Sequence, residues 1–392
     1  MRFVFTILLF LSVFGTSFGL SDKAQISVIS CGAGDKIYAS FGHSGIRVYD
    51  PIQKIDYVYN YGIFNFKTSY FIVKFLGGNL DYRLKKVKGS DFIFYYREKK
   101  RTIYEQVLNL NAQQMDQLFL ALEENAKPEN QYYRYDFYKA NCTTKIVDQL
   151  ELLLADELVY QPQSHQNTTF RQSIQQICTD KPWLGFGLDL IIGRSGDKLP
   201  STLVEHMNLP PKLFDELKNC YIVQNKHTMV PFVSKYITHY QATATDTGIS
   251  FDPKTILWAL FILALYLTFS NAIGLARLFD WLLFSCLGIA GILSGLIWSF
   301  SEHMAFDLHV NLLWINPLHL IIAFYILLNP SHQYIKKYFF NYNIIFFGML
   351  IYIFLYPSEF NPNIMPLFLT ALVRSLGRSG KANFRFSLFK SM

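Results

Sequence analysis

Beyond Asp252-Pro253 this chain of 392 residues becomes a succession of apolar runs, at about 255–272, 279–299, 310–328, 341–357 and 361–376. Each approaches the roughly 20 residues that a helix needs to cross a hydrocarbon core. Backbone groups in lipid have no water to satisfy them, so these runs must form helices, and they must pack against one another. Gly, Ser and Ala in LGIAGILSGLIWS suit close packing of the second helix, which a lone anchor would not need. An all-α polytopic bundle of about five helices over 254–376 is expected. Composition agrees, with 51% apolar and only 17% charged residues, and it excludes a disordered or fibrous chain. The net charge of +7 forms no stripe, which argues against nucleic acid as a partner.

Ahead of the runs, residues 1–19 (MRFVFTILLFLSVFGTSFG) read as a secretory signal peptide, which exports the polar segment behind it. With residues 20–253 outside, Arg277, Lys336, Lys337, Arg374, Arg378, Lys381, Arg385 and Lys390 all fall inside. The outer loops then hold Glu302, His303, Asp307, His309 and Glu359 but no Lys or Arg. Every loop obeys the positive-inside rule only if there are five spans, with residues 377–392 as a basic cytoplasmic tail.

The exported part reads as mixed α and β. Strands are expected at QISVISC, HSGIRVYD and IDYVYNYGIFNF, and a helix in LNAQQMDQLFLALEENAK with Asn111 as its cap. A hairpin with a loop of about six residues should join the second and third strands. Pairing residues whose numbers sum to 103 sets Val48 opposite Ile55 and His43 opposite Asn60.

Chemistry gathers in two motifs, Ser40-Phe41-Gly42-His43-Ser44 and Asn141-Cys142-Thr143-Thr144. KIVDQLELLLADEL after the second has a helical period, so Cys142 starts a helix, where free N–H groups and the dipole should lower its pKa. His43 is the expected base and Asn60 the group that orients it, in a Cys-His-Asn arrangement. Asp56 competes as orienter but lies beside the turn. Tyr38, Tyr135 and Asn141 are candidates to support the site or its oxyanion. Cys31 ends a strand and reads as structural, Cys178 and Cys220 could pair, and Cys286 lies in a span. His303, Asp307 and His309 have only a weak metal-ligand spacing, so no metal and no cofactor is expected.

CGAGDKIYASFGHSGIRVYD, YNYGIFNF, YRYDFYKANCTTKIVD, PWLGFGLDLIIG and HVNLLWINPL together resemble the Bacteroidota-type lipoprotein N-acyltransferases, whose exported domain is related to the permuted papain-like (NlpC/P60 and lecithin retinol acyltransferase-like) fold. The resemblance implies a catalytic domain over 20–165 and a periplasmic helical extension over 166–253, held in the periplasm by an inner-membrane bundle. It implies Cys142, His43 and Asn60 as the catalytic residues. It also implies transfer of an acyl chain from a membrane phospholipid to the α-amine of diacylated lipoproteins. A membrane-anchored papain-like hydrolase would use the same three residues. Where the resemblance leads one to expect Arg after the Cys motif, the nearest basic residue is Lys145, a candidate phosphate contact. The outer loop SEHMAFDLHVNLLWINP adds His303, His309, Asn311 and Asn316 as candidates for the floor that receives a headgroup or the acceptor amine.

Overall fold

The computed structural model describes residues 19–161, 168–224, 228–243, 252–357 and 360–380. The signal-peptide reading up to residue 18, Glu359 and the tail from 381 lie outside the described residues. Six strands open the chain: β1 Gln25–Cys31, β2 His43–Asp50, β3 Ile55–Ile63, β4 Asp81–Lys88, β5 Ile103–Leu108 and β6 Tyr132–Arg134. The segment 158–240 adds β7 Leu158–Tyr160, β8 Cys220–Gln224, β9 Thr228–Pro231 and β10 Val233–Tyr240. The main antiparallel sheet has the order β10-β5-β1-β2-β3-β4-β6, and β7, β8 and β9 form a small second sheet.

Alternation along β1 shows why the sheet is buried on both faces. Ile26 and Val28 join Ile46, Val48, Ile146 and Leu150 in one core, while Ile29 and Cys31 join Val58, Phe92, Tyr96 and Ile103 in another. Helices Ala112–Asn125 and Cys142–Leu154 cover the first face, and helix Gly89–Glu98 supplies Phe92 and Tyr96 to the second. Asn111 caps the first of these helices in a capping box with Gln114, as its position predicts.

Two expectations about the sheet are corrected. The β2–β3 turn has four residues, because the Asp50 carboxylate accepts the N–H groups of Ile52 at 2.9 Å and Gln53 at 3.1 Å and tightens it. Paired residues therefore sum to 105, as in Ile46 with Tyr59 and Asp50 with Ile55. A slip of two leaves every side chain on its own face, so Asn60 stays on the His43 side and hydrogen-bonds to it, and Gly62 also comes close to the His43 ring. The segment 166–253 is also not purely helical. Its strand β10 lies along β5 at the sheet edge, and mostly exposed residues there leave no clear alternation for the sequence to display.

Among the described residues three helices are long and apolar enough to cross a membrane: Ile273–Phe300, Asn311–Leu328 and Gln333–Leu355. The second is interrupted at residues 315–317, giving Asn311–Trp314 and Leu318–Leu328. Helices Pro253–Phe269, of 17 residues, and Met365–Arg378, of 14, are shorter than these three. Small residues act as expected: a Cβ on Gly291 would lie 2.2 Å from the Ile315 carbonyl oxygen, and one on Gly288 would lie 2.4 Å from Leu320 N. Main chain meets main chain where the helix breaks.

Asp280, fully buried on Ile273–Phe300, holds the last helix in place. Its carboxylate takes Arg374 Nε at 2.5 Å, Arg374 Nη2 at 2.8 Å and Arg378 Nε at 2.5 Å, while Arg374 Nη1 donates to Thr268 Oγ1 at 2.8 Å. Removing one partner would strand a buried charge, a loss of about 3–5 kcal/mol. Asp280→Asn is expected to lower the unfolding temperature of the detergent-solubilised protein sharply, and Arg374→Met in the same chain to restore part of it. Equal melting of Asp280→Asn and the parent would show that the cluster contributes nothing.

Candidate active site

Cys142 is the first residue of helix Cys142–Leu154, and Asn141 places it there. Asn141 Oδ1 accepts Thr143 N at 2.8 Å, Thr144 N at 3.0 Å and Thr143 Oγ1 at 2.7 Å. Its Nδ2 donates to the carbonyls of Phe137 at 2.9 Å and Asn208 at 2.8 Å. With both ends of the amide committed, Asn141 is a cap and a tie, and it has no donor left for an oxyanion.

On the other side His43 opens β2, and Asn60 lies on β3. His43 Nε2 is 2.5 Å from Asn60 Oδ1. A carbonyl oxygen can only accept, so Nε2 carries the proton and Nδ1 keeps its lone pair. Asp56 is occupied near the turn by Arg47 at 2.8 Å, which leaves Asn60 as the orienter. The His43 ring stacks on Tyr96 at 5.8 Å and 18°.

Gly62 stands between Cys142 and His43. A Cβ there would lie 3.4 Å from Cys142 Cβ and 3.6 Å from His43 Cε1, and its φ is +85°, a conformation that favours glycine. An isolated Gly inside a strand pattern marks a bulge or a close approach, which was the available sequence signal. The register of β3 with β4 does shift between Asn60 and Ile63.

Arg101 gives no comparable signal, because Glu98-Lys99-Lys100-Arg101 reads as a solvated charge run. It is nevertheless buried, donating from Nε to the Gly32 carbonyl at 2.6 Å with its guanidinium 4.7 Å from the Tyr96 ring centre. Its positive charge opposes protonation of both His43 and Cys142.

The electrostatics overturn the expected thiolate. Burial pushes the Cys142 thiol up to about 11, although the N–H groups of Ser44, Cys142 and Thr143, and Arg101, pull it down. Burial also lowers His43 to about 4, with Asn60 opposing and Arg101 assisting. At neutral pH the pair is therefore an uncharged thiol beside an uncharged imidazole. The helix start is too small an effect to outweigh desolvation here.

The remaining candidates divide by position. Tyr135 stacks on Tyr82 at 4.2 Å, and both phenols are electrostatically coupled to Cys142. Tyr38 is instead an exposed rim residue against Phe64 and Phe66. Lys145, one turn into the Cys142 helix, pairs with Asp148 at 3.5 Å. Cys31 lies across from His43 in β1, and burial raises its thiol strongly. Cys178 and Cys220 are free and belong to separate cores.

The outer-loop candidates serve mainly as joints. His303 Nε2 donates to the Phe75 carbonyl at 2.8 Å, its Nδ1 lies 3.7 Å from Asp136, and Met304 N donates to Asp136 Oδ2 at 2.9 Å. Burial opposes the Asp136 charge, yet His303 and the N–H groups of Met304, Tyr138 and Lys139 hold its pKa down at about 2. Asn311 bridges the Asp189 carbonyl and Trp314 Nε1, and Asn316 Oδ1 accepts Leu318 N. His309 is buried in a small cavity beside Arg171, Asp189 and Asp197. Among the described residues no group of three or more His, Cys, Asp or Glu side chains is placed to hold a metal ion.

Two family models match the chain: the Lnb N-terminal periplasmic domain over residues 20–176 and the Lnb transmembrane domain over residues 244–380. No curated protein and no solved structure gave a match.

A thiol held at about 11 dictates a pH profile. Alkylation of Cys142 by a small neutral reagent, quantified on its own peptide, should keep rising with pH through the alkaline range, because the thiolate fraction grows about tenfold per pH unit below the pKa. A plateau reached below pH 8 would contradict a thiol that rests neutral. Gly62→Ala, which adds a methyl between Cys142 and His43 at a positive φ, should slow this labelling severalfold at any pH.

Proposed function

Because the chain carries both Lnb domains, periplasmic and then transmembrane, and is a multi-pass inner-membrane protein with its N-terminal domain in the periplasm, we propose that it is a lipoprotein N-acyltransferase. Cys142 takes an acyl chain from a phospholipid and passes it to the α-amine of the N-terminal diacylglyceryl-Cys of a lipoprotein. One observation carries this reading. His43, oriented by Asn60, meets Cys142 across Gly62, in a domain clamped through Asp136 to His303 and Met304 at the end of a membrane helix. The order His then Cys, on an antiparallel sheet and a helix start, is also what the resemblance to permuted papain-like domains implies.

The chemistry follows from the neutral pair. His43 Nδ1 takes the thiol proton as sulfur attacks the ester carbonyl, so charge separates only in the presence of substrate. The N–H groups of Ser44 and Cys142 that approach the sulfur are placed to stabilise the developing oxyanion. Collapse of the tetrahedral adduct breaks the C–O bond, the lysophospholipid oxygen leaves with the proton from His43, and a thioester remains on Cys142. The lipoprotein amine then attacks the thioester, its proton passes to His43 and on to the departing sulfur, and an amide forms. Both lipids lie in the bilayer, so fixing the site at a membrane helix end replaces a search in bulk water by lateral encounter.

Cys142→Ala and His43→Ala should each reduce N-acylation of a lipoprotein to background, because members of one catalytic unit cost nearly as much singly as together. Asn60→Ala should retain part of it, since water can replace an orienter. Mass spectrometry of a lipoprotein N-terminus reads all three. Without acceptor, Cys142 should accumulate an acyl thioester that an added diacylated lipopeptide discharges with formation of an amide. Release of free fatty acid alone would identify a hydrolase instead.

A further inference from the structure

We propose that the groove between the end of β3, residues 65–68 and helix Phe71–Leu76 binds the phosphate of a membrane phospholipid, with the lipid entering from the bilayer side of that helix. The groove encloses about 620 Å³, and Lys67, Lys74 and Arg83 line it together with Asn65, Thr68 and Asp81. Among the described residues no carboxylate pairs with these three cations; Asp81 lies 3.6 Å from Arg134 instead. Three uncompensated cations beside amide and hydroxyl groups suit a phosphodiester.

Position says which phosphate. Glu302 N donates to the Gly77 carbonyl at 3.0 Å and His303 Nε2 to the Phe75 carbonyl at 2.8 Å, and both residues come directly after the membrane helix that ends at Phe300. The helix beside the groove therefore lies at the level of the membrane surface. It buries no residue, and Tyr70, Ile72 and Val73 are 81%, 69% and 70% exposed. An unburied apolar helix beside cations, tied to the end of a span, matches a lipid-water boundary. The strands that line the groove, β3 and β4, also carry Gly62 and Tyr82, which neighbour Cys142. Phe64 comes two residues after Gly62 and sits 5.0 Å from Tyr82, which is coupled to Cys142, and Ile63 pairs with Arg83. A phosphate held here has the lipid's ester linkages a few bonds away.

Use of the lipid as acyl donor rests on the proposed transferase reading, but binding does not. The test uses full-length Cys142→Ala protein in nanodiscs and a photoactivatable ether-linked phosphatidylethanolamine, which cannot donate an acyl chain. Changing Lys67, Lys74 and Arg83 together to Gln should reduce its crosslinking about tenfold while leaving a dialkylglycerol probe without phosphate unaffected, and Lys67→Arg with Lys74→Arg should preserve it. In the active protein the triple change should raise KM for phospholipid about tenfold with kcat within about twofold. Undiminished crosslinking, or equal loss of both probes, would overturn the site. Displacement by millimolar inorganic phosphate would overturn the lipid assignment in favour of a free-phosphate site. If the wild-type protein transfers no acyl chain yet binds the ether lipid through these cations, the transferase reading fails and the site stands.

Discussion

One side-chain amide, that of Asn141, joins the parts on which everything else depends. Its oxygen caps the helix that begins at Cys142, and its nitrogen holds the carbonyls of Phe137 and Asn208. Residues 136–140 close on themselves in a short bridge, and Asp136 reaches from there to His303 and Met304. Cys142 is thus connected through a few hydrogen bonds to the residues just beyond a membrane helix. Few of these groups reach water, so the loss of any one would leave a buried partner unsatisfied.

Burial then decides the resting state of the chemistry. A helix start, Arg101 and three N–H groups all favour a thiolate, yet desolvation outweighs them and leaves Cys142 protonated beside a neutral His43. An exported enzyme gains from that arrangement, since the thiolate is the form that oxidants attack. Gly62 lets the two side chains approach, and Tyr96 and Arg101 close the space behind the imidazole. With His43 and Cys142 themselves, these neighbours come from four separate stretches of the chain.

The membrane part obeys different rules because lipid offers no hydrophobic drive for helix association. Contact is made by deleting side chains at Gly288 and Gly291 against the broken helix, and by the Asp280 cluster with Arg374 and Arg378. That cluster explains how the short last helix is held in the bundle.

Short-range physics was legible from the residues alone. Alternation marked β1 and β2 to their ends, the Asn111 cap and the helical period after Cys142 marked two helix starts, and Asn60 emerged as the partner of His43 although the assumed register was two residues off. The error was harmless because a slip of two preserves the face. Burial of Arg101, the raised thiol of Cys142, the spent amide of Asn141 and the return of β10 to the sheet edge were beyond it. Periodicity and capping involve residues within a turn or two of each other. Desolvation, by contrast, is set by whichever distant segments come to cover a group, and only the tertiary structure specifies those.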